Sequence, residues 1–173
     1  MAEYVVLVDE QDQQIGTMEK MEAHREGLLH RAFSVFVMNA KGEIMMQQRA
    51  EHKYHSGGLW TNTCCSHPRE NEDIEDAAHR RMKEEMGFDC EMRKLLEFTY
   101  LARLDKGMTE HEYDHLYIGY FDGEPQPNPG EASNWKWMSI DSVTKDLRQN
   151  PGHYTEWFKI IFDRFSEKVT ELS

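Results

Sequence analysis

Apolar positions along this chain follow two rhythms, and the switches between them mark the elements. Tyr4 to Val8 is a short apolar run that predicts a strand, and the polar residues after it, through Gly16, predict a turn. Ala32 to Met38 and Glu43 to Arg49 are two further runs separated by Asn39-Ala40-Lys41-Gly42, a hairpin signal. From Glu72 to Met86 the rhythm becomes helical. Asn71 is the expected N-cap, Glu72 and Asp73 place negative charge in the first turn, and Gly87 supplies the stop. Strands are predicted again at Lys94 to Arg103, His115 to Phe121 and Asn134 to Met138, the last two divided by a proline- and glycine-rich loop from Asp122 to Gly130. From Thr155 onward, Trp157, Phe158, Ile161, Phe165 and Val169 recur at helical spacing. Strands, a helix, more strands and a closing helix predict an α+β fold, with helices flanking a mixed sheet. No linker interrupts the pattern, so residues 1–173 read as one domain.

Composition narrows the partners. With 173 residues, 39% of them hydrophobic, the chain can bury a substantial core. The formal charge of −12, from 32 acidic and 20 basic residues, argues against nucleic acid, which needs a basic footprint. A small phosphorylated ligand is compatible, provided that a local cluster of Lys and Arg or a bridging cation meets it. No apolar run approaches the roughly 20 residues needed to span a bilayer, and the N-terminus lacks the basic flank and apolar stretch of a signal peptide. The expectation is a cytoplasmic chain with no membrane insertion, and nothing in the pattern demands more than a monomer.

Reactive groups concentrate in Trp60-Thr61-Asn62-Thr63-Cys64-Cys65-Ser66-His67-Pro68. Cys64, Cys65 and Cys90 are the only three cysteines; their odd number and the strain of an adjacent pair argue against a disulfide framework. A metal site, a nucleophile and a proton carrier all remain open. On the helix that follows, Ile74, Ala77, Ala78, Arg81 and Glu85 share one sector, and Glu84 borders it. Charge therefore falls on the side that should be buried. Either Arg81 and Glu85 form an ion pair on a solvated helix, or the carboxylates face a cleft and hold a hard cation such as Mg²⁺. Of the nine histidines, His52, His55, His79, His115 and His153 show no selecting spacing and read mostly as surface residues. His24, His30 and His67 stand in more suggestive company, and Glu110-His111-Glu112 offers two carboxylates on one face of a strand.

Glu72 followed by Arg80-Arg81-Met82-Lys83-Glu84-Glu85-Met86-Gly87-Phe88 resembles the Nudix box, G-x5-E-x7-R-E-U-x-E-E-x-G-U. Two positions depart from it: Ser66 stands at the opening Gly, and Arg81 stands where the box has the Glu that helps to hold hydrolytic metals. That reversal of charge counts against pyrophosphate hydrolysis, the competing reading. The ordered set Glu19-Lys20…His24, His30…Ala32-Phe33-Ser34, Arg49-Ala50…Lys53, Trp60-Thr61-Asn62…Cys65-Ser66-His67-Pro68, Tyr100 and Glu110-x-Glu112 is similar to the type 1 isopentenyl diphosphate isomerases, divergent members of the Nudix superfamily. The resemblance implies a Nudix-like fold and conversion of isopentenyl to dimethylallyl diphosphate by protonation and deprotonation. It implies that Cys65 and Glu112, with Tyr100 beside the latter, move the protons. It further implies that His24, His30, His67, Glu110 and Glu112 ligate Mn²⁺, Zn²⁺ or Mg²⁺, and that Glu85 and the Cys65 carbonyl hold a Mg²⁺ bridging to the diphosphate. Lys20, Arg49, Lys53 and Arg81 would meet the diphosphate, and Trp157 would shelter the carbocation, with Trp60 as second candidate. To serve as a base, the Cys65 thiol would need a lowered pKa from nearby cations.

Overall fold

Strand β3 (His30–Met38) organises the sheet in the computed structural model, which describes residues 2–172. Along one edge it runs parallel to β8 (Thr109–Tyr120), from His30 opposite Glu112 to Met38 opposite Tyr120. Its other edge is shared by three short partners in turn. Leu7 of β1 (Tyr4–Val8) faces His30, β6 (Cys64–Ser66) pairs with Phe33 to Val35, and β4 (Glu43–Arg49) pairs only at Ile44 with Met38. The hairpin expected around Asn39–Gly42 is thus closed at its turn, after which the two strands diverge. β4 instead pairs with β9 (Ala132–Ser139) and β5 (Trp60–Thr61), β7 (Met92–Arg103) with β8, and β2 (Gln14–Glu19) with β1.

Helices α1 (Lys20–Glu26), α2 (Ile74–Met86), α3 (Ile140–Gln149) and α4 (Glu156–Leu172), with a single 3-10 turn at Pro151–His153, complete the described elements. Alternation along β3 divides the core. Phe33, Val35 and Val37 pack with Ala77, Ala78, Met82 and Met86 of α2, while Phe36 and Met38 pack with Trp157, Phe158, Ile161 and Phe165 of α4. Phe36 stacks on Phe165 with ring centroids 4.0 Å apart. The mixed sheet flanked by helices agrees with the α+β expectation.

Several sequence expectations are corrected. Helix α2 begins at Ile74 and is capped by Asp73, whose side chain accepts from the Glu75 and Asp76 amides. Asn71, the expected cap, instead lies in the loop at φ 67°, a left-handed conformation that asparagine tolerates well. The stop at Gly87 holds: its φ is 70°, and a Cβ there would lie 2.4 Å from the Gln126 carbonyl oxygen. Strand β8 starts at Thr109, six residues before the expected His115. β2, which begins at Gln14 inside the expected turn, was not anticipated, nor were β5, β6, α1 and α3.

Candidate active site

β3, β6, β7 and β8 deliver most of the reactive side chains through their registers. His30 lies directly opposite Glu112 across the β3–β8 ladder, and Tyr100 opposite Glu112 across β7–β8, with Ala102 opposite Glu110. Cross-strand partners of this kind have neighbouring Cβ atoms, so the side chains meet. On β6, alternation sends adjacent cysteines to opposite faces. Cys64 is fully buried among the α2-side residues, whereas Cys65 packs on the α4 side, opposite Ser34. Both are free thiols.

His24 comes from α1, a seven-residue helix started by Glu19, whose carboxylate accepts from the Met21 and Glu22 amides, and stopped by Gly27 at φ 67°. The His24 ring donates its Nδ1–H to the Lys20 carbonyl at 2.7 Å, and His30 donates its Nδ1–H to the Leu28 carbonyl at 2.8 Å. In the neutral ring each such bond leaves Nε2 as a bare lone pair, the arrangement found behind metal-bound imidazoles. His30 Nε2 stands 3.3 Å from His67 Nε2, and Glu112 Oε2 stands 3.0 Å from His67 Nε2 and 3.3 Å from His30 Nε2. His24 Nε2 is buried with no hydrogen bond, and Glu110 Oε2 lies 3.9 Å from it. One ligand atom from each of His24, His30, His67 and Glu112 lies within 4.8 Å of all the others. Converging imidazole nitrogens and a carboxylate, one nitrogen left without a hydrogen bond, suit a divalent cation in their midst. Burial holds the His67 pKa down to about 4, so its ring is neutral and free to ligate at pH 7.

Tyr100 Oη reaches Glu110 Oε1 at 2.5 Å and Glu112 Oε1 at 2.7 Å. One phenolic proton can be donated along only one of these contacts, so the trio shares protons. The two carboxyls are driven apart. Burial and the neighbouring Glu112 charge raise Glu110. Burial acts on Glu112 the same way, but the His30 and His67 imidazoles outweigh it and hold Glu112 below the usual carboxylate range.

Cys65 Sγ–H points at Asn62 Oδ1, 3.1 Å away, and at Ser34 Oγ, 3.5 Å away, while Ser34 Oγ–H donates to Asp114 Oδ1 at 3.0 Å. Burial and the nearby Asp114 push the Cys65 thiol well above its ordinary value. The protein's own groups thus favour the thiol at Cys65, and the expected lowering would have to come from bound cations.

Two cavities meet at Ser66 and His67. The inner one, of about 30 Å³, is lined by Arg49, Tyr54, His55, Cys65, Glu110, Glu112 and Trp157 as well. It has room for a water molecule or two, so a five-carbon chain enters only if wall side chains move. The outer one, of about 550 Å³, is lined among others by Lys20, Arg69, Arg80 and Arg81. Buried Arg49 Nε and Arg81 Nε have no partner. Arg49 lies over the Trp157 ring, 5.0 Å from its centroid, so Trp157 both packs the core and walls the inner cavity.

Glu85 stands apart from the histidines. It is buried, accepts from Arg81 at 2.7 Å and from Gln47 at 3.0 Å, and combines the two readings of the α2 sector: an ion pair, but a buried one. Glu131, not anticipated, joins Lys53 and Arg81 through one oxygen, at 2.9 and 3.1 Å. Ser34 and Asp114 were also missed, and His55 and His115, expected on the surface, are buried. His115 belongs with Asp12 and Glu97 to a third group of possible metal donors, but Arg31 and Lys94 already neutralise its acids.

The fold and the altered helix motif define a NUDIX domain, whose family model matches residues 28–158. A crystal structure of DR0079 from Deinococcus radiodurans shares the fold, with TM-score 0.80 at 18% identity over 94% of this chain and 98% of that one. Sequence relatives are more specific. "Isopentenyl-diphosphate Delta-isomerase 2" of Aromatoleum aromaticum is 50% identical over 164 residues, 95% of this chain and 87% of that protein. A protein of the same name from Photorhabdus laumondii is 49% identical over 171 residues, 99% of this chain and 97% of that protein. The chain belongs to the isopentenyl-diphosphate Delta-isomerase family.

Proposed function

We propose that this chain interconverts isopentenyl and dimethylallyl diphosphate, with Cys65 and Glu112 as the two proton-moving groups. The carrying observation is their placement: β6 and β8 flank β3 on its two edges and bring the thiol and the carboxylate to one small cavity that Trp157 also walls. The reaction needs one proton added to the terminal alkene carbon, giving a tertiary cation, and one removed from the carbon beside the CH₂O group. Cys65 and Glu112 stand at the two sides the reaction needs, one to give a proton and the other to take one. Tyr100 connects Glu112 to Glu110 and lets the pair share the proton. The Trp157 ring gives the cation a π-face away from bulk water.

His24, His30, His67, Glu110 and Glu112 would hold one divalent cation, whose charge would make the Glu112 carboxyl more acidic. Glu85 would hold Mg²⁺ only together with oxygens from the diphosphate, since its own oxygens already accept from Arg81 and Gln47. Lys20 and Arg81 line the outer cavity, Arg49 the inner one, and Lys53 is linked to Arg81 through Glu131; all four are assigned to the diphosphate. Among the described residues no helix is long and apolar enough to cross a membrane. A small-molecule substrate, no nucleic acid partner and a monomeric, cytoplasmic chain complete the reading.

Incubation of isopentenyl diphosphate in D₂O, followed by NMR, tests it. The wild-type chain is expected to form deuterated dimethylallyl diphosphate, and Cys65→Ala to form none. Phosphate release from nucleotide diphosphates without allylic exchange would point to the hydrolase instead.

A further inference from the structure

His55 has no place in the ligand set above, yet the fold goes to some length to bury it. Only 1% of its surface is exposed, and its ring lies between His24, 5.7 Å away and nearly parallel, and Trp157, 5.4 Å away and edge-on. The loop that delivers it is tightly constrained. Ser56 sits at φ 54°, uncommon for a residue with a side chain, and its amide donates to Asp105 Oδ1 at 2.8 Å. A Cβ on Gly57 would lie 2.3 Å from the Glu51 carbonyl oxygen, and Gly58 sits at φ 78°. The His55 carbonyl accepts from Arg49 at 3.1 Å.

All this holds an imidazole whose far nitrogen is left bare. His55 Nδ1 contacts Ser56 Oγ at 3.1 Å, while Nε2 is buried with no hydrogen bond, as is His24 Nε2, which lies 3.9 Å from Glu110 Oε2. One ligand atom each of His24, His55 and Glu110 lies within 4.8 Å of the other two. Donors on opposite sides of a first-row ion stand about 4 Å apart or slightly more. Simple core packing does not call for two neighbouring histidines that each bury a nitrogen without a hydrogen bond, because each such atom is costly.

We propose that His55 is a metal ligand, acting with His24 and Glu110, so that four imidazoles rather than three serve the centre. Resting on the divalent-cation reading of the site, this extends the donor set toward Trp157 and the inner cavity. It also makes the site richer in nitrogen, which favours Mn²⁺ or Zn²⁺ over Mg²⁺.

The test compares the wild-type chain with His55→Phe, which keeps a ring of similar bulk, and His55→Ala, which leaves a hole that free imidazole can fill. Each chelator-treated protein is titrated with Mn²⁺ alone, followed by electron paramagnetic resonance for binding and for the number of coupled nitrogens. Thermal melting without metal confirms that each variant folds. The proposal expects Mn²⁺ to bind at least tenfold more weakly to His55→Phe, with one coupled nitrogen lost, and expects imidazole to restore binding to His55→Ala. Unchanged affinity and nitrogen count in both variants would overturn it while leaving the three-histidine site intact. Failure of the wild-type chain to bind Mn²⁺ would overturn the whole His/Glu site along with it.

Discussion

Replacing Asp114 with Asn should make the protein's stability markedly less sensitive to pH. Asp114 is fully buried, and its one hydrogen bond is the Ser34 hydroxyl donating to Oδ1; Oδ2 has no partner. Burial, and then the Glu112 charge, push its pKa well above the ordinary value. The sign follows directly. The unfolded chain gives up this proton near pH 3.9, whereas the folded chain keeps it, so the folded state loses ground as pH rises. While the folded carboxyl stays protonated and the unfolded one is ionised, each pH unit costs about 1.4 kcal/mol. Asparagine preserves the acceptor for Ser34 and cannot ionise. Urea unfolding of both proteins in EDTA at several pH values gives the difference, and slopes from Glu110 and the histidines largely cancel between them. The difference should grow in favour of Asp114→Asn by roughly that amount for each unit. A difference that stays flat from pH 5 to pH 7 would refute the argument and mean that Asp114 ionises normally in the fold.

Other expectations concern the site and its supports. Cys65→Ala should abolish isomerisation, while Cys64→Ala, on the opposite face of β6, should retain most of the turnover and lose only packing stability; a reversed pattern in steady-state assays would invalidate the assignment. Glu112→Gln should lose turnover together with part of the bound metal, measured by elemental analysis, and full activity would remove Glu112 from the chemistry. Gly87→Ala forces a Cβ against the Gln126 carbonyl at a positive φ, and should destabilise the protein by more than about 1 kcal/mol in denaturant titration.

Where side chains face ordinary core, the sequence was readable. β1, β4 and the helices α2 and α4 follow from apolar spacing, because each buries hydrophobic residues on one side. The first half of β8 did not, and the reason is chemical. Its inward positions carry Glu110, Glu112 and Asp114, so the polarity pattern is inverted where the site lies. Helix α1 has only seven residues, too few for a period to show. His55 and His115 could not be told from surface histidines, since burial of a single side chain leaves no trace in spacing. The His24, His30, His67 and Glu112 grouping depended on resemblance: three separate segments and a parallel strand pairing bring it together, and no local pattern encodes that pairing.

In the proposed diphosphate site Glu131 would be a built-in counterion, since its carboxylate already bridges Lys53 and Arg81. An arriving diphosphate would trade places with it, so binding there would be an exchange of anions rather than the filling of a bare positive pocket. Its affinity reflects a difference between two ion pairs and should respond to salt less steeply than an unpaired basic cluster would. Substrate and product carry the same diphosphate, so the returning carboxylate favours neither. It would leave the reaction's equilibrium alone and would help to eject whichever isomer is present.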